Sequence, residues 1–170
     1  IFRAARRVGA TTVLNPAPMR ADFDPAMLRH VDVLVPNETE FAALAQLAGQ
    51  AIEEPDLALL DDPSLQQLCR RLGVPTVIVT LGARGCFVSF ADRSVRLRAH
   101  RVKVVDSTGA GDAFVGNLAA GFVKFRGDLL RAAHFANAAA ALSVTKPGTS
   151  RSMPSFRETL KLASRVLSPP

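Results

Sequence analysis

The sequence predicts an α/β fold, a mostly parallel sheet flanked by helices with one antiparallel excursion around residues 86–100. Three observations carry this. Short β-branched or apolar runs alternate with longer helical stretches, the pattern of βα units. The helical stretches open on residues that cap helix N-termini, and one of them closes on Gly49. Asn15, Asn37, Thr80 and Asp106 are expected at or just after strand ends, and ligands of open sheets sit outside the carboxyl ends of the strands. These four residues are therefore expected along one rim.

Taken in order, "IFRAARR" (1–7) places its arginines after apolar residues, in no signal-peptide order, and reads as the exposed face of a helix already under way. With no initiator Met, the chain is expected to begin mid-domain. "TTVLN" (11–15) is a β-branched strand that ends at the turn Pro16-Ala17-Pro18. "DPAMLRHV" (24–31) starts on an N-cap with Pro at N1, a short helix. "VDVLVP" (31–36) is a strand, and "NETEFAALAQLAG" (37–49) a helix with Asn37 as N-cap and Glu40 at N3. The acidic, Pro-containing stretch 50–63 reads as a surface loop or insertion.

A helix over 64–73 and a strand over 76–82 follow. A hairpin-like pair, 86–90 and 95–100, is expected across "ARG" (83–85). After Asp106 the chain turns helical through Phe125, a second helix starts at Asp128, 145–154 is a loop, and 155–167 is a last helix. No repeat or low-complexity segment interrupts the series.

Composition narrows the class. The 170 residues suffice for one domain with a real core, and 48% apolar with 21% charged residues is ordinary for a soluble globular protein. No charge-free apolar run approaches the roughly 20 residues of a membrane helix, so a cytoplasmic protein without a membrane partner is expected. The net charge of +6, from 21 basic and 15 acidic residues, is scattered, and Trp and Tyr are absent. That favours a basic surface attracting anions over a nucleic-acid site, which would cluster charge and interleave aromatics. Cys69 and Cys86 lack metal-type spacing and read as a buried, reduced pair. His30, His100 and His134 are isolated and receive no role.

The most informative stretch is "VVDSTGAGDAFVGNL" (104–118). Gly109, Ala110 and Gly111 can point successive backbone N–H groups at one place on a helix N-terminus, an anion-binding nest. Such a nest would stabilise charge on a transferred phosphoryl group. Asp112, at the positive end of the helix dipole, could take the proton of an attacking hydroxyl.

"DSTGAGDAFVGNL" resembles the signature of the ribokinase family, the PfkB carbohydrate kinases that phosphorylate sugars and nucleosides. "LNPAP" (14–18), "VPNETE" (35–40), "VTLGARGC" (79–86) and "AAAALSVTKPGTSRSMP" (138–154) resemble other family segments, in the family's order. The resemblance implies a ribokinase-like three-layer α/β/α sandwich with a mostly parallel central sheet. It implies an ATP-dependent sugar kinase, with D-ribose as first acceptor and D-ribose 5-phosphate as product. Fructose, nucleoside or 2-keto-3-deoxygluconate kinases, and a truncated non-catalytic nucleotide-binding relative, are the alternatives.

Residue by residue, the resemblance makes Asp112 the catalytic base and Gly109, Ala110 and Gly111 the anion hole. Asn37 and Glu40 correspond to the pair that organises Mg²⁺ and its waters, although a capping box explains Glu40 equally. Thr80, Gly82, Ala83, Arg84 and Gly85 correspond to the nucleotide-binding turn, and hairpin chemistry explains Gly82 and Gly85 as readily. Asn137 corresponds to a residue facing adenine, or is a polar residue on a helix surface. Asp106, Thr108, Ser143, Lys146, Gly148 and Ser152 correspond to a monovalent cation site, usually for K⁺, acting mostly through backbone carbonyls. Asp106 alternatively caps its turn.

The family's N-terminal strands, with their sugar-binding Asp, paired glycines and β-sheet lid, have no counterpart here. The chain, residues 1–170, is therefore expected to be the C-terminal, nucleotide-binding and phosphoryl-transfer portion of a single domain. Alone it is expected to be inactive, and its full-length parent a homodimer through the lid.

Overall fold

The computed structural model describes residues 1–50, 57 and 59–167, with side chains to Ser164. The chain forms two compact units, Ile1–Gly82 with Cys86–Arg96, and Ala83–Gly85 with Leu97–Pro170. Among the described residues no helix is long and apolar enough to cross a membrane.

In the first unit α1 (Phe2–Arg7) precedes β1 (Val13–Leu14), a 3₁₀ helix (Pro25–His30), β2 (Val33–Leu34), α2 (Glu38–Leu47), α3 (Asp62–Arg71), β3 (Thr76–Thr80), β4 (Cys86–Ser89) and all but the last residue of β5 (Ser94–Leu97). The sheet order is β1-β2-β3-β4-β5. Val13 pairs with Val33 and Val33 with Thr76 in parallel, while Thr80 pairs with Cys86 antiparallel. The alternation of strands and helices in the sequence thus produces the expected mixed sheet. "TVIVT" and "CFVS" are buried along almost their whole lengths, as suits central strands covered on both faces. Phe41 and Leu44 of α2 and Leu65 and Cys69 of α3 join Leu34, Val77, Val79 and Phe87 in one core.

Caps set the boundaries. Asp24 accepts the Ala26 N–H at 2.9 Å, and with Pro25 at the first position it opens a helix as expected, though of 3₁₀ type. The helix expected from Ser64 begins at Asp62, because Asp61 accepts the Ser64 N–H at 2.9 Å and Pro63 suits a first turn. The 50–63 stretch is therefore not wholly a surface loop: 62–63 are helical and Leu57 is fully buried, while 51–56 and 58 lie outside the described residues. The Arg70 guanidinium, at the end of α3, donates to the Val74, Pro75 and Ser89 carbonyls and to Ser89 Oγ, pinning the helix to β4. Cys69 and Cys86 are buried and free, and burial pushes both thiols up to about 12, which leaves them inert at neutral pH.

The antiparallel excursion differs in detail from expectation. The 3₁₀ turn Gly82–Arg84 joins β3 to β4, whereas β4 turns to β5 later, where the Phe90 N–H donates to the Arg93 carbonyl at 2.8 Å.

The second unit is built on α4 (Ala110–Lys124), α5 (Leu129–Ser143) and α6 (Phe156–Leu167). Helix α5, "LLRAAHFANAAAALS", is lined with alanines and buried along much of its length. Its Phe135 meets Phe125 edge-on at 5.9 Å and Phe156 at 4.7 Å. The strand expected before Asp106 is absent. The Val105 and Asp106 amides instead donate to the Val144 carbonyl, at 2.7 and 3.2 Å, so the end of α5 replaces a strand ladder.

Gly85, at φ +95°, is buried against residues 97–99. A Cβ there would fall on the Leu97 carbonyl oxygen and lie 2.6 Å from the Ala99 nitrogen, with no flexible side chain to yield. Gly82, at φ +52°, has open space around its Cα. Gly82→Ala should therefore cost only the left-handed backbone penalty, about 1–2 kcal/mol, and Gly85→Ala well beyond it. Urea unfolding of the two variants measures the difference; equal losses would show that the 85 and 97–99 backbones do not touch.

Candidate functional site

In the first unit the rim residues gather at the carboxyl ends of the parallel strands. Asn15 Nδ2 donates to the Val35 carbonyl at 2.7 Å. Asn37 and Thr80 form an isolated parallel bridge, in which the Thr80 N–H donates to the Pro36 carbonyl at 2.9 Å. Three of the four polar residues expected on one rim thus follow strand ends. Asp106 does not: it lies in the second unit, after irregular chain rather than a strand.

The Asn37–Glu40 pair is a complete capping box. Asn37 Oδ1 accepts the Glu40 N–H at 2.8 Å, and Glu40 Oε2 accepts the Asn37 N–H at 2.9 Å. Glu40 is only 5% exposed, so helix capping holds its carboxylate at the end of β2. The box uses one oxygen, and Oε1 is the atom through which Glu40 could bind a water of a hydrated divalent ion. A donor set with a single carboxylate fits Mg²⁺, which keeps most of its waters.

In the second unit Ala83 and Arg84 are exposed and Gly85 is buried. Asn137 is not on a helix surface: it is 6% exposed, and its Nδ2 donates to the Arg98 carbonyl at 2.8 Å. Buried amides take partners because an unmade hydrogen bond is costly there.

Gly109 is the N-cap of α4, at φ +79°. A Cβ at Gly109 would lie 3.3 Å from Thr149 Cγ2 and 3.4 Å from Met153 Cε, so the glycine lets the loop after α5 approach the helix start. Of the three residues expected to form the nest, Ala110 turns its amide to the Ser107 carbonyl at 3.2 Å. The Gly111 and Asp112 amides occupy the second and third helical positions, where an α-helix supplies no acceptor. Asp112 is exposed in that same turn, and among the described residues no hydrogen bond engages its carboxylate.

Asp106 is heavily engaged. Oδ1 accepts the Thr108 N–H and Oδ2 the Gly148 N–H, both at 2.9 Å. Hydrogen bonds from Thr108, with a further one from Gly148, hold the carboxyl down to about 2. Of its two readings, the turn cap is therefore formed. Ser143 and Ser152 are buried and donate their hydroxyls to the Ala140 and Thr149 carbonyls, at 2.9 and 2.7 Å; Lys146, Gly148 and Thr108 are exposed. What 143–152 can offer a cation is neutral oxygen, from carbonyls and hydroxyls, with Asp106, bonded to Gly148, as the charged group. Hard oxygens with one carboxylate fit a monovalent cation. Among the described residues no group of three or more His, Cys, Asp or Glu could hold a metal.

Several participants escaped sequence reasoning: the Arg98 and Val144 carbonyls, and the Thr149 and Met153 side chains against Gly109. Carbonyls carry no residue-type signal, and the van der Waals neighbours of a glycine are unreadable without coordinates.

Comparisons with known proteins identify the family and the fold. Residues 1–155 match the pfkB family carbohydrate kinases. The chain is 34% identical over 157 residues to a ribokinase of Staphylococcus aureus, covering 92% of this chain and 49% of that protein. It is 38% identical over 160 residues to a deoxyribokinase of Salmonella typhi, covering 92% and 50% respectively. The structure of Arabidopsis thaliana ribokinase complexed with ribose and ATP matches with a TM-score of 0.80 at 30% identity, covering 95% of this chain and 50% of that one. The chain spans about half the length of the curated relatives it matches. The fold is thus ribokinase-like, with a mixed, mostly parallel sheet and helices. Because the family match takes in 155 of the 170 residues, the chain belongs to the pfkB family of carbohydrate kinases.

Proposed function

We propose that this chain supplies the nucleotide-binding and phosphoryl-transfer portion of an ATP-dependent pentose kinase, with D-ribose as first acceptor and D-ribose 5-phosphate and ADP as products. The observation that carries it is the first turn of α4, where the exposed Asp112 carboxylate shares a helix start with the Gly111 and Asp112 amides. Asp112 takes the proton of the sugar hydroxyl as its oxygen attacks the γ-phosphorus and the bond to ADP breaks. The amides and the helix dipole stabilise the negative charge on the phosphoryl oxygens. The rim of the first unit, Asn37, Glu40 and Thr80, and the turn Gly82–Gly85 are the candidates for nucleotide contact.

Mg²⁺ held through Glu40 and its waters would neutralise phosphate charge, and K⁺ among the 143–152 carbonyls would add positive charge and order that loop. A ribokinase and a deoxyribokinase are among the relatives, and ribose and deoxyribose are both pentoses, which supports the acceptor class. Sugar contacts and a dimerising lid are assigned to parts of the whole kinase beyond this chain.

Three outcomes are expected. Asp112→Asn in the full-length kinase lowers turnover at least about a hundredfold, with nucleotide affinity little changed, because the side chain acts on the acceptor hydroxyl. A coupled ADP assay measures this, and turnover like the wild type would remove Asp112 from the base role.

Replacing sodium by potassium at constant ionic strength raises the rate of the same enzyme. Identical rates in the two salts would leave Asp106 as a turn cap alone.

The Asp106 carboxyl is lowered in the folded chain, so its contribution to the 106–108 turn and the Gly148 contact is full above the ordinary carboxyl value, about 3.9. It fades as pH falls through about 2. An NMR titration should show Asp106 and the Thr108 and Gly148 amides sharing that low midpoint. A midpoint at the ordinary value would mean that the two hydrogen bonds are not kept in solution.

A further inference from the structure

We propose that Asn137 is a positioning residue, which sets the height of the turn Ala83–Gly85 through the Arg98 carbonyl rather than by reading the nucleobase. The inference rests on the reading above that this turn meets the nucleotide.

The contact at Gly85 transmits position. Its backbone lies against residues 97–99 so closely that even a methyl group has no room, and backbone atoms cannot swing aside as a long side chain would. Residues 97–99 therefore bound the space open to Gly85, whose turn is closed on its other flank by the pairing of Thr80 with Cys86.

From Arg98 to Val105 the chain adopts no regular structure, so no strand ladder fixes it beyond Leu97. The Arg98 carbonyl is instead gripped by Asn137 Nδ2 at 2.8 Å. Asn137 is itself held firmly: it is 6% exposed on α5, between the fully buried Ala136 and Ala138. A rigid helix thus aims a donor at the one carbonyl that lies between the two residues closest to Gly85. The hydrogen bond to Arg98 orders the Asn137 carboxamide within the protein itself, independently of any ligand.

Hydrogen exchange and nucleotide binding of the 170-residue chain test this with Asn137→Leu and Asn137→Asp, near-isosteric changes that abolish the donor. Positioning predicts that amide exchange in 83–85 and 97–101 rises about fivefold to tenfold in both, the size of one lost hydrogen bond. Exchange in the middle of α4 stays as in the wild type. Positioning also predicts that affinities for ATP and GTP fall by the same factor, since the turn is displaced as a whole. A loss confined to ATP would show that Asn137 reads the base and would overturn the proposal, as would unchanged exchange in 83–85. Should both variants lose protection throughout, Asn137→Gln keeps a donor one methylene away and should give an intermediate rise in the same two segments; its absence overturns the proposal. If the unaltered chain binds neither nucleotide, the reading of the turn as a nucleotide site fails, while the exchange data still decide what Asn137 holds.

Discussion

The second unit depends on a single carbonyl at the end of a buried helix. Val144 O takes the amides of Val105 and Asp106, so the chain reaches the start of α4 along a path dictated by α5. Asp106, placed in this way, spends one carboxylate oxygen on Thr108 and the other on Gly148, closing the turn before Gly109 and tying it to the loop after α5. Gly109 then fits beneath Thr149 and Met153 because it has no side chain. The position of the α4 N-terminus, and of Asp112 upon it, follows from these contacts.

The carboxylates divide their labour by what surrounds them. Glu40 is buried and half consumed by its capping box, which orients its remaining oxygen. Asp106 is consumed on both oxygens, and the amides that bind it keep it charged far into acid. Asp112 sits exposed in a helix first turn with no described hydrogen bond on its carboxylate, the state in which a base for an incoming hydroxyl would be useful. The hydroxyls of Ser143 and Ser152 give their hydrogens to carbonyls of their own turns.

Much of the architecture was legible in the sequence because the interactions behind it are local. Asn37 with Glu40, Asp24 with Pro25, and Asp128 before α5 each cap a helix within three residues, and capping chemistry is written in residue types. The apolar runs 76–80 and 86–89 announce buried strands for the same reason. The glycine-flanked "GAGD" announced a helix start where backbone amides are bare, and α4 begins there. Where local signals competed, the sequence misplaced the result: Asp61 outbid Ser64 for the start of α3, and the 83–85 turn joined a different pair of strands from the one expected.

By itself, then, the sequence determined the α/β alternation and the capped helix starts, and it singled out the residues proposed for proton and phosphate chemistry, since each depends on side-chain type and spacing over a few positions. Tertiary structure alone decided that residues before Asp106 bond to the end of α5 instead of forming a strand, that Asn137 is buried on the Arg98 carbonyl, and that Gly85 has no room for a methyl group. The reason is that each of these contacts ends on a backbone group far away in the chain, and a carbonyl or an amide is the same at almost every residue.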